Sequence, residues 1–311
     1  MFFLGNVISA YVHSIWGLVI GRFLQGSGAI SGVCMAFLSD LISKKNYAKS
    51  IAAIGVSFAL SFLLAMIIGP IIVQFFGFFS IFSISSYFSV ICVIIIFFVC
   101  PNIKHISSTK KTKYLFRQIL IVVFNQSLFK SYLGIFFLHF LLMIHFMILP
   151  NYFELSGVIL NDQWKIYSTT IIISFFILFL FLFFCKINLL LNNIIEICII
   201  FLLFSEIIFL TSHNNLIFLI IALQIFFVSF NFLEVFLPVN LRNQNLNNYK
   251  SVIMSIYSTS QFLGISFGGV ISGWLCSCLT TPKIFLFEVL SVFFWLSLHL
   301  FLKIIPLRNN L

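Results

Sequence analysis

Acidic side chains are almost missing from this sequence. Seven Asp and Glu stand among 311 residues, and Asp40 is the one acid ahead of Glu154. Charged residues of both signs make up 8% of the chain, against about 25% in an ordinary soluble domain. A fold with a solvated polar surface is therefore excluded. The sequence also has no P-loop, no HExxH and no dinucleotide fingerprint, nor any long polar segment that could carry one. Nucleotide hydrolysis, zinc peptidase chemistry and dinucleotide-dependent redox chemistry drop out with them. No enzyme activity, cofactor or metal is expected. The seven cysteines lie in or at the ends of apolar runs and make no CxxC pair, which reads as small buried hydrophobes rather than a disulfide framework. Cys276 and Cys278 are the one close pair.

What fills the space is apolar. Hydrophobic residues reach 62%, and the mean hydropathy is +1.19, values of a polytopic all-α membrane protein. The apolar runs are long enough to cross about 30 Å at 1.5 Å per residue. Spans are expected at about 15–41, 50–75, 78–100, 131–152, 166–185, 190–211, 215–239, 251–278 and 283–304, with a shorter apolar piece from Met1 to Tyr11. If the 43–49 loop is cytoplasmic, Lys165 and Lys283 fall outside and Arg22 falls within the membrane. The remaining 14 of 17 Lys and Arg then lie on one side. That bias follows the positive-inside rule and places the C-terminus in the cytoplasm. The net charge of +10 is thereby explained by basic loops beside membrane lipid, with no nucleic-acid partner required.

Arg22 stands out because the run from Ile15 holds no other charge before Asp40. A guanidinium near mid-bilayer costs about 2.5–3.5 kcal/mol on insertion scales, so it should face protein or a water-filled pathway. Gln25 is one helical turn away and is its nearest polar neighbour in sequence. Glu206 and Glu234 lie inside apolar spans in the same way. A carboxyl group there is either a reversible proton site or a neutral acid that fastens helices together, since the ionised form is the costly one in hydrocarbon. Gln224, Asn231 and Glu234 share one side of a helix. Glu196 and Glu288 read as nearer the membrane surfaces and solvated. His139 and His145 flank the run FLHFLLMIHF, where a satisfied interior histidine competes with a proton relay; His139 joins the pathway candidates.

Small residues mark packing faces. Gly17, Gly21, Gly28 and Gly32 form one stripe of the first long helix, while Arg22, Gln25 and Gly26 point another way. Ala53, Ser57, Ser61, Ala65 and Gly69 recur every fourth residue, up to Gly69-Pro70. Ser251, Ser255, Ser258 and Gln261 make a polar face followed by Gly264 and Gly268. Such stripes let neighbouring backbones approach.

An internal repeat organises the chain. NYAKSIAAIGVSFALSF (46–62) resembles NYKSVIMSIYSTSQFL (248–263), about 200 residues apart. The longest polar stretch, Pro101 to about Lys113, separates three and a half spans from six. The organisation expected is a partial first half at 1–100, a cytoplasmic linker at 101–130 with an interfacial helix over YLFRQILIVVF, and a six-helix second half at 131–311.

At GRFLQGSGA (21–29) the sequence resembles the RxxQGxGA signature in the fourth helix of major facilitator superfamily transporters, especially drug:proton antiporters. IIGPII (67–72) looks like the core of their fifth-helix signature, with Val73 and Gln74 where paired glycines usually follow. SIWGLVIGRFLQGSGA, GVSFALSFLLAMIIGPII, DQWKIYSTT, QIFFVSFNFLEVFLP and YSTSQFLGISFGG extend the similarity over most of the chain. The resemblance implies the superfamily fold, with about the first two and a half of twelve transmembrane helices not represented, and alternating access in a bacterial inner membrane. By position it implies a proton-coupling role for Arg22, with Gln25, Gly26 and Gly28 in the same motif. Asp40 matches the acid that engages a conserved loop, and Gly69 and Pro70 match the fifth-helix packing motif. The function expected is proton-coupled export of an unidentified small solute. Two alternatives stand beside it: a transport-incompetent remnant of a shortened gene, and a membrane subunit completed by a partner chain.

Overall fold

The computed structural model describes residues 1–12, 14–27, 47–99, 120, 122–123, 125–184, 191–212, 215–242 and 250–304. They are almost entirely helical: α1 (Phe2–Tyr11), α2 (Ile15–Ser27), α3 (Tyr47–Phe76), α4 (Ser80–Val99), α5 (Gln126–Leu155), α6 (Gln163–Phe184), α7 (Leu191–Thr211), α8 (Leu216–Arg242), α9 (Lys250–Cys278) and α10 (Thr281–Ile304). Helices meet the demand of a hydrocarbon solvent because each satisfies its backbone hydrogen bonds internally. Seven stretches, within α4, within α5 to α10 and including the 3₁₀ turn ahead of α6, are long and apolar enough to cross a membrane. The other two expected spans correspond to α2, described as far as Ser27, and to α3, whose apolar part is Leu60–Phe76. Gly28, Asp40, the 101–113 linker and most of the expected interfacial helix lie outside the described residues.

The chain divides into two compact units, Met1–Leu115 and Phe116–Leu311. In the first, α1 packs on α2 and α4, and α3 on α4. Gly5 and Gly21 face each other across the first of these contacts; a Cβ on Gly21 would run into Gly5 O at 2.8 Å and into Ser9. The short helix α1 is thus bound by backbone proximity. The turn from α3 to α4 uses Gly77 at φ 82°, whose N–H caps Val73 O at 2.9 Å, the left-handed stop that glycine takes without Cβ strain.

In the second unit α5 is the most enclosed helix, packed by α8, α9 and α10. It begins at Gln126, five residues ahead of the expected start at 131, because the Asn125 side chain accepts from the N–H groups of Ser127 and Leu128 at 3.1 and 3.2 Å. That cap lets Lys130 ride on the first turns. Pro150 sits in the last turns, and Gln163 Nε2 donates to its carbonyl at 2.8 Å. The core is aromatic: Phe153, Phe209, Phe226, Phe227, Phe236, Phe285 and Trp295 are all fully buried. Other large apolar side chains point outward, among them Phe176, Phe183, Phe204 and Phe294. An apolar exterior suits lipid.

Two close helix contacts follow the glycine pattern. Cβ atoms on Gly264 and Gly268 of α9 would strike the carbonyl oxygens of Phe136 and Phe140 on α5. Gly69 and Gly26 have nothing within 4 Å of a built Cβ, so their packing role is not visible among the described residues. Pro70 lies within α3, which continues through it to Phe76.

Candidate functional site

Among the described residues three polar clusters hold the candidates, one in the first unit and two in the second. In the first unit Arg22 Nη1 donates to Gln25 Oε1 at 3.0 Å, Gln25 Nε2 donates to Asn6 Oδ1 at 2.9 Å, and Asn6 Nδ2 donates to Phe2 O at 3.0 Å. The guanidinium also lies 4.8 Å from the centre of the Phe82 ring, a cation–π arrangement. Arg22 and Gln25 are therefore brought together, as i,i+3 spacing predicts. Asn6, which is buried, is the member that sequence reading missed. Its signal was a lone amide inside FFLGNVISAY. Arg22 itself is exposed in this unit.

The second place joins α5, α8 and α9. His139 Nε2 lies 2.8 Å from Gln261 Nε2 and 3.9 Å from Glu234 Oε2, while His139 Nδ1 stands 3.3 Å from Ile135 O. An Nδ1–H directed at that carbonyl leaves the Nε2 lone pair to accept from the Gln261 amide, with Glu234 alongside. The imidazole is buried and leans against Phe230, whereas the Glu234 side chain keeps 38% of its surface open. A buried imidazole thus sits beside a carboxyl side chain that is partly open. Tyr257 on α9 and Asn231 on α8 are buried nearby in sequence, each with an unpaired polar atom. Three residues nominated separately, His139, Glu234 and Gln261, converge here. Gln224, on the same helix as Glu234, instead donates to Ser174 Oγ of α6 at 2.8 Å.

The third place holds Glu206. Its Oε2 lies 3.4 Å from His145 Nε2, and Glu288 Oε1 approaches His145 Nδ1 to 2.9 Å. All three side chains are sealed, at 0% exposure for both glutamates and 2% for the histidine. The expectation of a solvated Glu288 near a membrane surface is overturned. Lys283 made the segment look interfacial, but five residues of helix carry Glu288 about 7.5 Å deeper. Glu196 behaves differently. It is partly open and pairs with Lys303 at 2.6 Å, with His299 at 3.9 Å.

Comparison with known proteins accounts for the motifs. The sequence profile of the Major Facilitator Superfamily matches residues 1–244. A Buchnera aphidicola protein from Acyrthosiphon pisum, titled "Uncharacterized transporter BU466", is 62% identical over 269 residues, covering 86% of this chain and 69% of that protein. A second Buchnera transporter, from Schizaphis graminum, is 51% identical over 304 residues, covering 97% of this chain and 78% of its own length. The Escherichia coli inner membrane transport protein YajR is 32% identical over 311 residues, which is all of this chain and 68% of YajR. Helices long enough to span a membrane, a buried polar cluster in a lipid-facing bundle and a profile match over most of the sequence agree: the chain belongs to the major facilitator superfamily of multi-pass membrane transporters.

Proposed function

We propose that the protein is a proton-coupled secondary transporter of the bacterial inner membrane that exports a small solute by alternating access, with its C-terminus in the cytoplasm. The observation that carries this reading is the approach of His139 to Glu234 and Gln261 on three different helices. A proton held between the shielded imidazole and the open carboxyl changes the charge of a point where three helices meet. Repacking of those helices then follows protonation. The division at Leu115 and Phe116 supports two transporter halves joined by a linker ahead of α5. Arg22 and Gln25 in the first unit and Glu206 in the second belong to the same reading as polar groups on apolar helices, and solute and protons are the partners besides lipid. The test is transport by the purified chain in proteoliposomes under an imposed pH gradient, across a panel of small solutes. Solute-dependent proton movement that disappears in Glu234→Gln supports the reading. Unchanged movement in that variant removes Glu234 from the mechanism.

One observation favours a second reading, a membrane assembly in which another chain covers the first unit. Arg22 is exposed there beside exposed Phe23 and Ile20, and a guanidinium in lipid needs polar cover. Purification of a monodisperse monomer that transports on its own contradicts this alternative.

A further inference from the structure

The group formed by His145, Glu206 and Glu288 has features that proton coupling at His139 does not use. The three side chains come from α5, α7 and α10, and together they leave five heteroatoms without a hydrogen bond: His145 Nε2 and all four carboxyl oxygens. Fully buried polar atoms without partners are rare and costly. The 2.9 Å approach of Glu288 to Nδ1 lies outside hydrogen-bonding geometry. His145 Nδ1 instead stands 3.1 Å from Leu141 O. A proton on Nδ1 directed at that carbonyl fixes the tautomer and leaves the Nε2 lone pair bare. This is the outer bond that metal-bound histidines use for orientation. Phe226 stacks on the ring at 4.3 Å and Phe209 meets its edge at 5.1 Å, so the surroundings are dry.

We propose that His145, Glu206 and Glu288 bind one divalent transition-metal ion that ties α5, α7 and α10 together. One donor atom from each residue, the histidine taken at either ring nitrogen, lies within 4.8 Å of the others. Ligands on bonds of about 2.0–2.2 Å stand about 3–3.5 Å apart, so the carboxylates move inward by about an ångström around the ion. One imidazole with two carboxylates suits Zn²⁺, Mn²⁺ or Fe²⁺; Mg²⁺ and Ca²⁺ ask for more oxygens or for retained water. Charge agrees with this choice. Among the described residues His145 is the one basic side chain within ion-pair distance of either glutamate, and a dication cancels two carboxylates. Nothing in this proposal depends on transport, because the ion is resident and sealed.

The experiment uses the full chain in detergent, stripped with a chelator and titrated with Co²⁺, then with Zn²⁺ in competition. The expected result is one Co²⁺ per chain with visible d–d absorption, displaced by Zn²⁺ and not by Mg²⁺, together with a rise in the melting midpoint. Affinity falls by about 10–100-fold or more in Glu206→Gln and in Glu288→Gln. If either variant fails to fold, the melting shift of the unaltered chain with Zn²⁺ over Mg²⁺ still decides. Identical melting of stripped and Zn²⁺-loaded chain overturns the proposal and leaves the triad to protons. Co²⁺ absorption that survives both substitutions, or that carries a thiolate charge-transfer band from exposed Cys276 and Cys278, overturns it as well.

Discussion

His139 and Glu234 lie 3.9 Å apart, one on α5 and the other on α8, with the imidazole shielded and the carboxyl partly open. At that separation the two groups influence each other's charge without being locked into one hydrogen bond. The Glu234→Gln change keeps the volume and removes the titrating proton, so gradient-driven proton movement should fall to background while the folded chain remains monodisperse. The Asp variant should retain part of the activity. Equal activity in Gln and Asp variants would show that shape, rather than protonation, is what position 234 supplies.

The α5–α9 contact yields a paired test on adjacent glycines. Gly268→Val puts a side chain against Phe140 O, which a Cβ already meets at 2.6 Å. Overpacking of this kind costs about 1–3 kcal/mol and should lower the thermal midpoint in detergent. Gly269 has nothing within 4 Å of a built Cβ; alanine there should leave the midpoint unchanged or raise it, since helical glycine is about 0.5–1 kcal/mol worse than alanine. Similar losses at both positions would contradict the packing described.

Asn6 and Gln25 should prove coupled. Gln25→Leu strands the buried Asn6 Oδ1, a cost of about 1–3 kcal/mol, and Asn6→Leu strands Gln25 in turn. The double variant should lose less than the two single losses combined, which a melting-based double-mutant cycle reads directly. Strict additivity would mean that the 2.9 Å bond contributes nothing.

Asn125→Ala should destabilise the second unit by about 0.5–2 kcal/mol through the lost cap, whereas Asn125→Asp should keep most of it. Lys303→Ala, by contrast, breaks a half-exposed pair with Glu196, and such pairs are worth about 0–1 kcal/mol. A small loss that shrinks further in high salt is expected there.

Much of this was legible in the sequence where one property dominated. Apolar length located the helices, and Gly264 and Gly268 declared a close contact because nothing else explains that spacing on a polar face. Arg22 and Gln25 could be paired from helical periodicity alone. The convergence of His139, Glu234 and Gln261 needs α5 to meet two helices about a hundred residues further along the chain, and periodicity gives the face of each helix but not the partner opposite it. Glu288 was misplaced for a related reason: a nearby lysine marks a membrane surface, yet depth grows by 1.5 Å with every helical residue. Asn125 escaped notice because it stands in a polar stretch, where any of several residues could have opened the helix.

Gly264 and Gly268 bring the main chains of α5 and α9 into direct touch at Phe136 and Phe140. His139 lies between those two residues, and Gln261 sits one turn before Gly264. With no layer of side chains between the helices, there are no rotamers to relax and nothing to compress. The 2.8 Å spacing of His139 and Gln261 is therefore gauged by backbone against backbone. Glu234, on a helix without such a seam against α9, is the partner left free to change its distance.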